Sequence, residues 1–444
     1  MNPPLHYDEA RKGAVEAFRS IIQQNPVIEK AIFIDDLFGK IRIIIWFTQS
    51  GKAKKIMDEI NRTLTIKSQT YWTGEIWNAS KSNLNKIDNE VYSRAFQESH
   101  QDRQEARLFI LDRYRNRGGW IRKILDPPWE ISKQNGPPII VFYSFKGGLG
   151  RSTALAAFAV QRSRLGEHIV VIDADLDAPG VGMLLAVDQY GGTSPWGLAD
   201  YLLEKKMGQF QIRDYIHVCA REAVTGNGKI SVIPAGTVDE NYPGKIARID
   251  LEPSEDAIPE HPLINLLLDI KDQVHPDWIL IDARSGLSEI AGLLISGIAH
   301  LYVILGTPSD QSWNGIHLII ERIGMDRIRE GRMQSDCILV QGMVPESLKV
   351  AKNSIAEFTN YAEDEFVDYY YAEDPDNPEE DMFYYMRDMG DEDVAPEIPL
   401  PITYKQRLAF FSSIDEIAQD LVTDKEYVNI AKKIAIKCGR WEND

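Results

Sequence analysis

The stretch Ser144-Phe-Lys-Gly-Gly-Leu-Gly-Arg-Ser-Thr153 decides how the chain is read. An apolar run, Ile139–Tyr143, precedes it, and the helix-period segment Ser152–Arg164 follows it. Three glycines in four positions let backbone N–H groups turn inward without Cβ clashes. The first turn of the following helix adds unpaired N–H groups and a dipole that favours anions. Strand, glycine loop and helix in this order form a phosphate cradle. Gly147, Gly148, Leu149, Gly150, Arg151, Ser152 and Thr153 are therefore the candidate nucleotide-binding residues, and Ser152 stands where a loop hydroxyl reaches Mg²⁺.

Outward from this loop, short apolar runs alternate with helix-period segments. Candidate strands are Ile139–Tyr143, Ile169–Asp173, Ile230–Pro234, Trp278–Asp282, Leu301–Leu305 and Cys337–Gln341. Ser152–Arg164, Pro262–Val274 and Ser312–Ile323 read as helices between them, and 404–422 and 424–438 as closing helices. The alternation predicts an α/β fold, a mainly parallel sheet with helices on both faces. Two of the strands end in carboxylates. Ile169-Val-Val-Ile-Asp-Ala-Asp-Leu-Asp177 places Asp175 24 residues beyond Arg151, and Asp277-Trp-Ile-Leu-Ile-Asp-Ala-Arg-Ser-Gly286 ends its strand at Asp282.

The loop departs from G-x-x-x-x-G-K-[ST]: Phe145 holds the first position, Arg151 replaces the lysine, and a lysine stands early, at Lys146. In this it resembles the deviant Walker A loop of ParA/MinD-type P-loop ATPases of the SIMIBI class, K-G-G-x-G-K-[ST], and most of all its K-G-G-x-G-R variants. The resemblance covers about residues 138–345 and extends to the closing helices. It implies ATP and Mg²⁺ as ligands, with Ser152, Asp173 and Asp282 at the metal. It implies that Asp175 orients the attacking water, that Gly286 senses the γ-phosphate, and that Lys146 reaches the nucleotide of a partner copy in an ATP-sandwich homodimer. Gln341 matches the base-reading position, in a stretch that runs to Pro345, and Thr307–Asp310 is a second candidate for that pocket. Lys146, Asp175 and Arg151 are thus the candidate catalytic residues. Arg151 is a planar fork rather than a point charge, so slow hydrolysis is expected. No Thr/Asn-Lys-x-Asp guanine signature is present, so ATP is expected over GTP.

The chain has 444 residues and a net charge of -18. With 44% apolar and 26% charged residues, it is composed like a folded globular protein rather than a collagenous or wholly disordered one. The charge is unevenly placed. Residues 361–397 hold 15 acids and one base, whereas residues 1–137 hold 22 bases and 17 acids. The acidic window is rich in tyrosine. It reads as a partly ordered insert, a docking segment for a basic partner, or a site of tyrosine modification. Residues 1–125 read as a small α/β sensor, adaptor or effector-linked domain, with strands at Ala31–Ile34 and Ile41–Phe47 and helices at 51–63 and 91–115. The Pro-rich residues 126–137 read as a linker, leaving 138–444 as the ATPase domain.

Within Arg113–Lys123, five cations surround Tyr114, Trp120 and Ile121. The stretch is either a solvated helix end or a nucleic-acid patch. No apolar run spans a bilayer, and the first residues lack the pattern of a signal peptide. The three cysteines lie far apart, which fits a reducing cytoplasm. The leading expectation is a switch ATPase that couples ATP binding and hydrolysis to a partner or effector, in signalling or anti-phage defence. A DNA- or membrane-positioning ATPase is the alternative, with Lys432–Lys437 as the membrane-touching candidate, and a bacterial tyrosine kinase is a third reading.

Overall fold

The computed structural model describes residues 6–80, 86–113, 119–120, 126–132, 134–185, 196–205, 211–249, 251, 261–330, 335–370 and 395–440. The chain divides into two compact units, Met1–Arg117 and Gly118–Asp444.

In the first unit, strands β1 (Ile28–Asp35), β2 (Ile41–Phe47), β3 (Trp72–Asn78), β4 (His100–Gln101) and β5 (Leu108–Asp112) form one sheet in the order β3-β2-β1-β5-β4. β1 pairs antiparallel with β2 and parallel with β5. Helices Tyr7–Gln24 and Ala53–Ser68 bury Phe18, Ile22, Ile56, Ile60 and Leu64 against the sheet. Arg11 ties the first helix to two strand ends, with Nε 3.1 Å from Asp35 and Nη2 2.5 Å from Asp112. The helix expected over 91–115 is shorter, Lys86–Glu98, and Leu108–Asp112 is a strand instead. Asp102 accounts for the change. Its carboxylate accepts from the N–H groups of Gln104 and Glu105, closing a turn that delivers the apolar run Leu-Phe-Ile-Leu to the open edge of β1.

The second unit carries an eight-stranded sheet built from β6 (Ile139–Ser144), β7 (His168–Ala174), β8 (His217–Val218), β9 (Lys229–Ile233), β10 (Trp278–Ala283), β11 (Leu301–Gly306), β12 (Asp336–Val344) and β13 (Leu400–Thr403). Their order is β13-β12-β11-β6-β10-β7-β9-β8, parallel throughout except for β8. Each central strand is an unbroken apolar run because both faces are covered. Helices Arg151–Arg164, Ile414–Thr423 and Lys425–Lys437 pack on one face. Pro262–Val274, Glu289–Leu294, Asp310–Glu330 and Leu348–Glu365 contribute to the core on the other. The α/β class expected from the sequence is the one found. β8 and β13 were not foreseen. β13 contains Pro401, which has no N–H to donate and is tolerated because this strand lies at the sheet edge.

The Pro-rich stretch expected to be a linker is part of the second unit. Trp129 is buried, and its indole N–H donates to the Pro137 carbonyl at 2.7 Å. His300 accepts from the Ile139 N–H through Nδ1 at 3.0 Å, so its Nε2–H donates to the Trp129 carbonyl at 2.6 Å. Burial holds the pKa of this imidazole below its ordinary value, which suits the neutral form. Trp120 also belongs here, donating to the Ser288 carbonyl and stacking obliquely on Tyr143. It is therefore not a free platform for a nucleobase. Tyr114, Arg115, Arg117, Ile121, Arg122 and Lys123 lie outside the described residues.

The acidic window begins in a helix, Leu348–Glu365, and one π-helical turn, Phe366–Tyr370, with Phe366 and Tyr370 buried. Residues 371–394 lie outside the described residues. Where the chain is described again, Lys433 donates to the carbonyls of Ala395 at 2.7 Å and Ile398 at 3.1 Å. The helix carrying it turns Tyr427, Ile430, Ile434 and Ala435 into the core, which leaves no apolar stripe for a membrane. Among the described residues, no helix is long and apolar enough to cross one.

Burial lowers the pKa of Lys433 from its usual 10.5 to about 8. Between pH 8 and 10.5 the unfolded chain binds more protons at this site than the folded one, so its contribution makes stability rise with pH. Urea unfolding of the parent and of Lys433→Met at pH 8.0, 8.75 and 9.5 is expected to show that rise in the parent and a flatter profile in the variant.

Candidate functional site

The glycine loop lies at the C-terminal end of β6, in the middle of the sheet, where open α/β sheets place their ligands. Gly148 and Gly150 are left-handed, with φ of +78° and +87°. A Cβ on either would meet no atom within 4 Å, so backbone conformation rather than crowding selects glycine. The helix Arg151–Arg164 starts directly after Gly150, and its first-turn N–H groups have no intrahelical acceptors. Phe145, the departure at the first loop position, packs toward Gly315. A Cβ there would lie 1.9 Å from Phe145 Cγ, so the loop is buttressed by an apolar contact with the helix Asp310–Glu330.

Asp173 and Asp282 are register partners at the ends of β7 and β10, and both are fully buried. Asp282 accepts from the Ser152 hydroxyl at 2.6 Å through one oxygen and from Arg151 Nε at 2.5 Å through the other. Arg151 Nη2 reaches Asp175 at 3.0 Å, so one guanidinium spans two carboxylates. The other oxygen of Asp175 accepts from the Ala178 N–H. Asp173 accepts from the N–H groups of Asp175, Gly180 and Gly182. It therefore shapes the loop after β7, and its oxygens are committed to backbone donors rather than left open for a metal. Burial and the neighbouring Asp282 raise the Asp173 carboxyl to about 7, against the opposing pull of those N–H donors. Burial likewise raises Asp282, opposed by Arg151 and Ser152. Among the described residues, no group of three His, Cys, Asp or Glu converges on a metal position. With few protein ligands, a cation here would be held weakly until a nucleotide adds its oxygens, which is how Mg²⁺ is ordinarily held.

Gly286 follows β10 with φ +74°, and its carbonyl accepts from the Tyr143 hydroxyl at 2.9 Å. Asp177 forms an ion pair with Arg284. Lys146 is exposed and makes no hydrogen bond or ion pair among the described residues.

A cavity of about 560 Å³ opens over the loop. Its floor is Gly147–Thr153 with Asp175, Ala178 and Ser285, and its far wall is Met343, Ile402–Lys405, Leu408, Phe411 and Tyr427. Gln341 and Pro345 do not line it. Gln341 is buried on β12 and donates to Ser354 Oγ at 2.8 Å, away from the loop. The next residue, Gly342, faces the loop so closely that a Cβ would lie 2.5 Å from the Leu149 carbonyl. The pairing of β12 with β13 then slips between Gln341 and Val344, and Met343 is left-handed, φ +59°. This irregularity brings Met343, rather than Gln341, to the cavity wall. The Thr307 and Ser309 hydroxyls bond to each other just before the helix Asp310–Glu330, and the Thr307 N–H donates to Ser312 Oγ; they do not line the cavity either.

The wall residues after position 400 escaped the sequence reading, which placed a helix over 404–422. Pro399 and Pro401 around a short apolar run were the available signal for an edge strand.

Replacing Gly148 or Gly150 with alanine is expected to cost about 1–2 kcal/mol each through left-handed strain alone. Thermal melts of the ligand-free variants check this. A loss well outside that range would show that packing, not conformation, holds the loop.

No family model matches the chain. It is 26% identical over 219 residues to an uncharacterized ATP-binding protein, MJ0547, of Methanocaldococcus jannaschii, covering 48% of this chain and 76% of that one. It is 25% identical over 194 residues to the antiactivator FleN of Pseudomonas aeruginosa, covering 43% of this chain and 59% of FleN. Among solved structures, a plasmid partition protein of Borrelia burgdorferi aligns at 17% identity and a TM-score of 0.40, covering 68% of this chain and 99% of that one. The cell division ATPase MinD of Pyrococcus furiosus aligns at 20% identity and a TM-score of 0.33, covering 48% of this chain and 73% of MinD. The fold itself rests on the strand order and crossovers described above. With the loop and the two acidic strand ends in place, the chain is similar to ParA/MinD-like P-loop ATPases.

Proposed function

We propose that residues 118–444 bind ATP with Mg²⁺ in the cavity over Gly147–Thr153, hydrolyse it slowly, and use the bound state to pair two copies of the chain. The observation that carries this reading is the 2.6 Å bond from Ser152 Oγ to Asp282 at the foot of a left-handed glycine loop. It joins a hydroxyl to a buried carboxylate, the pair that would hold a nucleotide-borne cation. The open space around Gly148 and Gly150 leaves room for phosphate oxygens, so the residues present fit the group. Bound Mg²⁺ supplies Lewis acidity and charge neutralisation. The rest falls to the chain. First-turn N–H groups bind phosphate, Met343 and the 402–405 segment enclose the base, and Asp175 is placed to orient water once Arg151 releases it. Gly286, where a built Cβ would lie 3.8 Å from the Phe145 carbonyl of the loop, is the candidate γ-phosphate sensor.

Lys146 suits a role in trans. It is exposed and uncommitted within its own copy, and a phosphate-facing cation from a partner would join ligand binding to assembly. The first unit and the acidic segment are the candidate attachment points for a protein partner, whose signalling or defence output would follow ATP-driven pairing. Positioning on DNA is the second reading, favoured by the excess of bases in residues 1–137. A membrane role is disfavoured by the buried face of Lys425–Lys437. Tyr370 offers no target for a tyrosine-kinase reading, since it is buried with its hydroxyl on Asp336 at 2.7 Å. The three buried, unbridged cysteines fit a reducing, cytoplasmic setting.

Sizing the full chain with ATP–Mg²⁺ is expected to give a dimer, and with ADP a monomer. Lys146→Ala should stay monomeric with ATP while still binding it, and an ATP-dependent dimer of that variant would sink the role in trans. Asp175→Ala should bind ATP, dimerise, and lose about a hundredfold or more in phosphate release.

A further inference from the structure

Asp282 has two oxygens, and the chain itself occupies both. Ser152 takes one, and Arg151 Nε takes the other at 2.5 Å. The far end of the same guanidinium lies 3.0 Å from Asp175. Arginine can do this because its Nε and Nη2 donors are separated within one rigid plane; a lysine ammonium is a single point. Asp282 is fully buried and the Arg151 side chain is only 10% exposed, so little water screens the pair. Two carboxylates facing one gap would otherwise make an open cation site. Arg151 and Asp175 both line the cavity over the loop, so the guanidinium borders open space on the side where phosphate would enter.

Building on the reading of the cavity as an ATP–Mg²⁺ site, we infer that Arg151 is an exchangeable resident cation that holds Asp282 closed to divalent metal until nucleotide phosphates draw it off. Loading is then ordered. Phosphate enters first and competes for the guanidinium as a bidentate acceptor. Only after Arg151 has moved does Asp282 offer a free oxygen beside Ser152. Divalent cation alone does not load the empty site, and the arginine at this position acts as a positioning residue that makes metal affinity depend on nucleotide.

The test uses Mn²⁺ as probe, with free Mn²⁺ read by EPR on the full chain. The parent is expected to bind Mn²⁺ weakly without nucleotide and markedly more tightly once ADP is added. Arg151→Gln is expected to bind Mn²⁺ without nucleotide about 5- to 150-fold more tightly than the parent, the span of typical couplings between sites. Arg151→Lys keeps the charge but, as a single point, cannot span both carboxylates, so it should tighten Mn²⁺ binding by less; it decides the matter if Arg151→Gln fails to fold. Parent protein that binds Mn²⁺ equally well with and without ADP overturns the inference. So does a folded Arg151→Gln with no gain over the parent. Failure of the parent to bind ATP or ADP at all would instead overturn the function proposed above, and the nucleotide-free comparison of parent with Arg151→Gln would still read the metal block.

Discussion

Asp282 lies at the end of a central strand, covered on both faces, with no exposure to solvent. A carboxylate in that position is expensive to ionise unless cations and donors are fixed around it. The glycine loop supplies them. Arg151 and Ser152 sit on the first turn of the helix that the loop launches, and that turn can reach β10 only because Gly148 and Gly150 adopt left-handed backbone. The loop, the helix and three strand ends are therefore one electrostatic unit. Breaking a buried pair of this kind by removing one partner typically costs about 3–5 kcal/mol, because the other charge stays behind.

The two ends of the cavity are built by different means. The phosphate end is backbone geometry from one continuous segment, stiffened by Phe145 against Gly315 and by Gly342 against Leu149. The far wall is assembled from the slip in β12, the edge strand β13 and the closing helices. Lys405 bonds to Asp424 and Glu426, and Thr403 to Glu426, so this wall is fixed to the start of the last helix. Changes in how that helix sits would be felt directly at the cavity.

Much was legible in the chain as written. The six strands read from apolar runs occur within one to three residues of their expected ends, because strands buried on both faces must be continuously apolar. The loop was legible because glycine at left-handed positions has few substitutes. What misled were segments whose local pattern fits two environments. Leu108–Asp112 extends a helical period yet completes a sheet once Asp102 turns the chain. The prolines of 126–137 suggest a linker, yet Trp129 and His300 fasten them to the core. Gln341 stands at the right distance along β12, but strand alternation and the slip after it turn its amide to Ser354.

The sequence by itself determined the α/β class, the phosphate cradle and the carboxylates at the strand ends, since these depend on local backbone freedom and on the period of apolar residues. Only the tertiary structure decided which partners those groups found. That Arg151 lies across Asp282 and Asp175, and that Met343 with the 402–405 segment walls the cavity, depend on register and crossover between distant strands, while Asp173 is taken up by the N–H groups of the loop after its own strand. No local propensity encodes the Arg151 bridge or the cavity wall, because those contacts join segments distant in the chain and form only when the whole sheet is in place.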